Sequence, residues 1–259
     1  MVGAQIQFDD GSSYERSIGM WSRLVGAQFL EWLALGEGLR WLDVGCGTGV
    51  FSALVAERGA PTVVSGVDPS AQQLAFARQR LGSGDFREGN AMALPYADGV
   101  FDAAAMALVI VFVPEPAKGV AEMARVVRPG GTIAAYMWDY SGAMPHDPVP
   151  ALAQALGATF PRPPSTAVAA LSALRSLWET AGMESVAAVQ FEVTRRFTDF
   201  DDFWETTAAI ASISPMLAQL TDAQRMELRA QVRAHVPDDP SGSVSRTAGV
   251  NAIKGRVPR

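Results

Sequence analysis

One cysteine, Cys46, and two histidines are all that the 259 residues hold of those types. A lone thiol excludes an internal disulfide framework and suits a reducing compartment, so a cytoplasmic location is expected. Lysine is almost missing: Lys118 and Lys254 are two among 21 basic residues, and the formal net charge is −6. Phosphate neutralisation needs a basic stripe, and the Arg125/Arg128 and Arg195/Arg196 neighbourhoods are too small to form one. No nucleic-acid partner is expected. Long apolar runs are also lacking. The longest, residues 103–113, is ended by Pro114 and falls well short of the roughly 20 residues that cross a bilayer. No membrane partner is expected, and the first ten residues show no charged-then-apolar signal pattern. No His/Cys/Asp grouping has the spacing of a metal site, so no metal is expected. No internal repeat occurs, and the 24 Gly and 16 Pro are spread out rather than gathered in a low-complexity tract.

What is present is 49% hydrophobic and 19% charged, enough for one sizeable core and one α/β domain over residues 1–259. Trp21, Leu24, Val25, Phe29 and Trp32 recur at helical spacing, which predicts a helix over 18–35. A strand over 39–44 then runs into Gly45-Cys46-Gly47-Thr48-Gly49. Helices are expected at 50–58, 70–81 and 117–127, and strands at 62–67, 86–89, 101–109 and 132–138. Ser70 is the natural cap and Gly82 the natural stop of the second of these helices. Such alternation builds a doubly wound, mostly parallel sheet covered on both faces. Asp43 to Gly49, Asp68 and Asn90 all fall at the carboxyl ends of strands, where such sheets bind ligands.

Beyond Trp138 the pattern loosens. Residues 145–164 hold six of the sixteen prolines and read as a broken loop or cover. A helix is expected at 165–181, a strand at 185–197, a mostly helical stretch at 200–235 and a last strand at 244–254. The two late strands would bring the sheet to seven. Phe200, Phe203 and Trp204 are either core packing or the wall of an apolar pocket.

The glycine loop carries the strongest chemical signal. Glycines at 45, 47 and 49 remove side chains where backbone must turn and approach a ligand closely. A dinucleotide fingerprint needs G-x-G-x-x-G to seat a pyrophosphate, whereas here the spacing is G-x-G-x-G and position 50 is Val. The pattern suits a ligand without a pyrophosphate. Asp68 lies nineteen residues beyond Gly49. It can accept both hydroxyls of a ribose or cap the helix that starts near Ser70.

At this point the chain resembles the class I S-adenosylmethionine-dependent methyltransferases. The likeness runs in order through Leu42-Asp43-Val44-Gly45-Cys46-Gly47-Thr48-Gly49, Gly66-Val67-Asp68-Pro69-Ser70 and Gly89-Asn90-Ala91. Leu94-Pro95-Tyr96, Phe101-Asp102 and the stretch from Glu122 to Gly131 complete it. It is most similar to the branch that methylates small molecules and quinone precursors. The resemblance implies S-adenosylmethionine as cofactor and methyl transfer to an O, N or C nucleophile of a small organic acceptor. It divides the chain into an N-terminal lid helix (1–38), a cofactor-binding core (39–138) and a substrate cover with the final strands (139–259).

It also implies roles by position. Gly45, Cys46, Gly47 and Asp43 would shape the loop along the methionine portion, and Asp68 would hold the ribose. Pro69 would pack near the adenine, Asn90 and Ala91 would meet its edge, and Leu108 would lie near the sulfonium. Many relatives carry an acid where Asn90 stands. Tyr14 or Arg23 would cover or grip the cofactor carboxylate, unless that helix merely packs on the core. Cys46 reads as a small filler rather than a nucleophile. The Asn/Asp-Pro-Pro-aromatic motif of amino-directed relatives is replaced by Leu108-Val109-Ile110-Val111.

Candidate bases after the fifth strand are Asp139, Tyr140, His146 and Asp147. Histidine suits proton removal near neutral pH, but His146 lies in a Pro-rich loop where a merely solvated role is the more natural reading. A good nucleophile held in line needs no base at all. Two other readings stay open: a cofactor-using enzyme that transfers no methyl, and a binding protein that kept the fold without turnover.

Overall fold

The computed structural model describes residues 15–259. A short π-type turn, Glu15–Gly19, leads into helix α1, Met20–Leu33. Then follow β1 (Arg40–Val44), α2 (Val50–Arg58), β2 (Val63–Asp68), α3 (Ala71–Leu81), β3 (Asp85–Glu88) and β4 (Phe101–Ala107). A 3₁₀ turn, Ile110–Phe112, precedes α4 (Pro116–Val126) and β5 (Val127–Trp138). The second half holds α5 (Val149–Ala155), α6 (Leu171–Thr180), β6 (Glu184–Phe197), α7 (Phe200–Ala208), α8 (Ser214–Leu217), α9 (Asp222–His235) and β7 (Val244–Arg256).

The seven strands form one sheet in the order β3-β2-β1-β4-β5-β7-β6. The first five are parallel, and β7 runs antiparallel between β5 and β6. Chain order reverses between β1 and β4, so the crevice at their carboxyl ends is the switch point where such sheets take ligands. Only Val250 to Arg256 of β7 pair with β5, whereas its pairing with β6 runs on to Val244. The antiparallel β6–β7 pair therefore rises beyond the carboxyl edge.

Local chemistry explains the boundaries. The Ser70 hydroxyl accepts from the Gln73 amide and starts α3, and Gly82 at φ 55° closes it. Glu115 precedes Pro116 at the head of α4, where proline's missing N–H costs nothing. That helix buries Val120, Met123 and Val126 on one stripe. On the other face α1 lays Trp21 edge-on to Trp138, with ring centres 6.0 Å apart, and Phe29 on Tyr136 at 4.7 Å.

Three expectations change in detail. The fourth strand stops at Ala107, because Leu108 takes φ 63° and the chain enters the 3₁₀ turn. The stretch 165–181 is a 3₁₀ turn, Thr166–Ala169, followed by α6. The stretch 200–235 is three helices, since Pro215 opens α8 and a Thr221–Gln224 capping box starts α9 afresh.

Candidate functional site

The turn from β1 into α2 forms the floor of the site. The Gly45 and Cys46 amides both donate to the Val67 carbonyl, at 2.7 and 3.0 Å, which ties the loop to the end of β2. Gly45 has φ 77°, and a Cβ there would stand 2.5 Å from a Val109 methyl. The turn after β4 thus presses on the glycine loop, and no side chain fits between them.

Asp68 ends β2 and joins two pieces of backbone. One carboxylate oxygen accepts the Gly47 N–H and the other the Ser70 N–H, both at 2.9 Å. Burial raises its pKa, and these two hydrogen bonds hold the rise back. Asp68 thus braces the turn before α3, whose cap is Ser70, and each oxygen keeps a lone pair for a ligand hydroxyl. Asp43 lies behind the loop, 2% exposed, and accepts from the Ser52 hydroxyl at 2.6 Å. Its second oxygen has no partner. Burial lifts the carboxyl to about 7 against the Ser52 hydrogen bond that lowers it, and the Asp68 charge adds to the rise. Cys46 is buried against Leu74, Ala77 and Phe86, and burial pushes its thiol far up. Its side chain fills the space beneath the loop.

Above this floor opens a cavity of about 1380 Å³. Asp43, Gly45, Cys46, Gly47, Asp68, Pro69, Asn90, Ala91 and Leu108 all line it. The side-chain oxygen of Asn90 accepts the Met92 N–H at 2.8 Å, so part of its capacity is spent within its own turn. Tyr140, His146 and Asp147 line the cavity too. Burial raises the Tyr140 phenol to about 12, which keeps it a hydrogen-bond donor at neutral pH. His146 is 9% exposed, and burial lowers its pKa to about 4 against the opposing Asp147 charge. Its Nδ1 has no hydrogen-bond partner and lies 3.9 Å from Asp147 Oδ1.

Two sequence candidates do not reach the cavity. Arg23 faces α2 and pairs with Glu57 at 3.0 Å, because one helical step turns it away from Ser22, which does line the site. Asp139 accepts from the Ser141 amide and hydroxyl and from Gln190, at 3.0, 2.6 and 2.7 Å, and so holds the turn after β5. Its carboxylate is consumed there. Tyr14 lies outside the described residues. Phe200, Phe203 and Trp204 pack on one another and on Phe197, away from the cavity lining.

Sequence reasoning missed Ser22, Gln73 and Tyr136, which reach the cavity from element interiors. It also missed Ile210, Ala211 and Ser212 after α7. Arg162 is the one cationic side chain among the described lining residues, beside the acids Asp43, Asp68, Glu88 and Asp147.

The chain is similar in part to known proteins. Residues 42–135 match the family model described as a methyltransferase domain. An uncharacterized protein of Mycobacterium tuberculosis is 37% identical over 110 residues, 42% of this chain and 40% of that one. The demethylmenaquinone methyltransferase of Renibacterium salmoninarum is 39% identical over 113 residues, covering 44% of this chain and 45% of the enzyme. The chain thus matches less than half the length of these curated relatives. Among solved structures, Haemonchus contortus phosphoethanolamine N-methyltransferase 2, in complex with phosphomonomethylethanolamine and S-adenosylhomocysteine, shares the fold. Its TM-score is 0.59 at 15% identity, over 97% of this chain and 58% of that one.

Proposed function

From the premise that residues 42–135 belong to the methyltransferase domain family, we propose that the protein transfers a methyl group from S-adenosylmethionine to a small organic acceptor. The observation that carries this is the joining of the glycine loop to Asp68 at the floor of one large cavity. Its volume of about 1380 Å³ exceeds the roughly 300–1,000 Å³ of a single-ligand pocket, leaving room for an acceptor beside the cofactor. The residues fit that cofactor. Lone pairs of Asp68 suit ribose hydroxyls, the acids of the floor suit a cation, and Asp43 keeps an unpartnered oxygen there.

When bound, the cofactor supplies an electrophilic methyl on a sulfonium. The chain's own task is to position and to exclude water. Gly45, Cys46 and Gly47 hold the methionine portion in this proposal, and Asp68 holds the ribose. Pro69, Asn90 and Ala91 take the adenine, with Asn90 offering its amide N–H groups as well as its remaining lone pair. Leu108, fixed by its amide's 2.9 Å bond to the Tyr136 carbonyl, forms the wall near the reacting carbon. With Asp139 set aside, Tyr140, His146 and Asp147 are the base candidates at the cavity. Among the described residues no helix is long and apolar enough to cross a membrane. A cytoplasmic enzyme with no nucleic-acid partner is the setting we propose, on the charge and cysteine content.

Calorimetry with S-adenosylhomocysteine and NAD tests this reading. S-adenosylhomocysteine should bind and NAD should not. Asp68→Ala should weaken binding about 10–100-fold, the scale of lost charge-assisted hydrogen bonds. Because Gly47 and Ser70 lose their acceptor, it should also cost about 1–3 kcal/mol of stability. Tighter binding of NAD, or an unchanged affinity in the variant, would sink the assignment.

A further inference from the structure

The run Pro161-Arg162-Pro163-Pro164 lies beyond α5, in a stretch without regular structure that is fastened at both ends. On one side the Thr159 amide and hydroxyl donate to Gln219 Oε1, at 2.9 and 2.8 Å, and Gln219 Nε2 donates back to the Thr159 carbonyl at 3.1 Å. On the other, the Ser165 amide donates to the Val111 carbonyl at 3.0 Å, and its hydroxyl to the Val113 carbonyl at 2.8 Å. The prolines that flank Arg162 lock their own φ at about −65°. The backbone that carries Arg162 is therefore stiff before any ligand arrives.

Arg162 is exposed, lines the cavity, and pairs with no acid among the described residues. Other surface arginines are paired, Arg23 with Glu57, Arg175 with Glu179 and Arg229 with Asp201. A cation on stiff backbone at the rim of a cavity, left without a partner by its own chain, is placed for a ligand's anion. We propose that the acceptor is an apolar carboxylic acid, held at the rim by its carboxylate on Arg162, with its other end inward toward Leu108. The proposal rests on the methyltransferase reading and names the substrate class, and its orientation, for the same cavity.

The rest of the lining fixes the class. Phe112, Met144, Pro150, Phe160 and Ile210 are apolar and suit an apolar body. His146 stands edge-on to Phe160 with ring centres 5.9 Å apart, and burial lowers it to about 4, so it adds no second positive charge. Asp43, Asp68, Glu88 and Asp147 are acids. One guanidinium matches one carboxylate through two parallel N–H bonds, whereas a phosphate brings further negative charge for those acids to repel. An amine finds no partner in Arg162. The reverse orientation sets the carboxylate against Asp68 on the floor, where like charges oppose each other.

The test is calorimetry of protein loaded with S-adenosylhomocysteine, using 4-phenylbutyrate and 4-phenylbutanol as probes of similar shape and different charge. The carboxylate should bind about fivefold more tightly, the scale of one exposed charge pair, and the advantage should shrink as salt rises. Arg162→Gln should bring the carboxylate down to the affinity of the alcohol and leave the alcohol unchanged, and Arg162→Lys should restore part of the difference. S-adenosylhomocysteine should bind every variant with unchanged affinity, which also reports that each one folds. In a crystal of the loaded protein with 4-phenylbutyrate, the carboxylate should lie on Arg162 and the ring toward Leu108. Equal affinity for the two probes, no binding of either, a carboxylate preference that survives Arg162→Gln, or the reversed placement overturns the proposal. So does weaker S-adenosylhomocysteine binding in Arg162→Gln, which assigns that side chain to the cofactor. Failure of S-adenosylhomocysteine to bind the unaltered protein overturns the methyltransferase reading instead.

Discussion

Asp43 sets a pH dependence at the floor of the site. Its carboxyl sits at about 7 in the folded chain against an ordinary value of 3.8. Between those two values the folded state keeps a proton that the unfolded state has released, so stability falls as pH rises through this window and is level above it. Asp43→Asn should flatten that slope in denaturant titrations. A cation placed against Asp43 favours the carboxylate and expels the proton. The affinity for S-adenosylmethionine, which is cationic at sulfur, should therefore gain on that for S-adenosylhomocysteine as pH rises from 6 to 8. Calorimetry of both ligands checks it; a ratio that does not change with pH would remove Asp43 from the sulfonium's neighbourhood. At this scale the sequence is informative about residue type and place but poor on direction. Asp68, Pro69, Asn90 and Leu108 line the cavity because they end or follow strands whose ends meet at one edge. Arg23 and Asp139 went astray because one residue along a helix or an extended chain reverses what a side chain faces.

Between β3 and β4 the chain is tied to α4 rather than built into the sheet. Glu122 accepts the Leu94 N–H at 2.7 Å and two bonds from Arg125, at 2.7 and 2.8 Å. Arg125 donates in turn to the carbonyls of Leu94 and Tyr96 and to Asp98. The Leu94-Pro95-Tyr96 and Glu122-to-Arg125 motifs, far apart in sequence, are one hydrogen-bonded clasp beside Asn90 and Ala91. Arg125→Ala leaves two carbonyls and much of Glu122 without donors. It should cost about 1–3 kcal/mol, seen as a lower denaturation midpoint at unchanged slope. A loss within error would mean that water serves the clasp equally well. Elements up to β5 were legible because apolar runs alternate with helical stripes and glycine stops. The end of β4 was not, since Leu108-Val109-Ile110 continues the apolar run while the backbone turns out of the strand at φ 63°. Nor were the breaks within 200–235, where the Thr221–Gln224 capping box lies inside a pattern that reads as mostly helical.

For the whole molecule, the sequence reading reached a doubly wound sheet of seven strands but not the order of the last two. Antiparallel pairing of β6 with β7, and insertion of β7 beside β5, depend on long-range contacts that local periodicity does not encode. Those two strands rise past the carboxyl edge without lining the cavity, whose roof comes from other segments outside the parallel core. Ile18 and Ser22 approach from the N-terminal side, and Met144, Pro145, His146 and Phe160 from the proline-rich stretch. Of the lid expected over 1–38 and the cover expected over 139–259, Ile18, Ser22 and part of the stretch from Tyr140 to Pro163 line the cavity, with Ile210 to Ser212, and Tyr14 is outside the described residues. Methyl transfer from a sulfonium needs a site poor in water, with the acceptor held in line. A roof of short helices and turns opens at lower free energy than the sheet, so ligand binding should be felt there first. Hydrogen exchange with and without S-adenosylhomocysteine should show new protection in 140–163 and in 17–22, while β1, β4 and β5 stay equally slow in both. If the roof segments exchange at the same rate in both samples, they are fixed walls, and the acceptor enters a cavity already closed to the extent it needs.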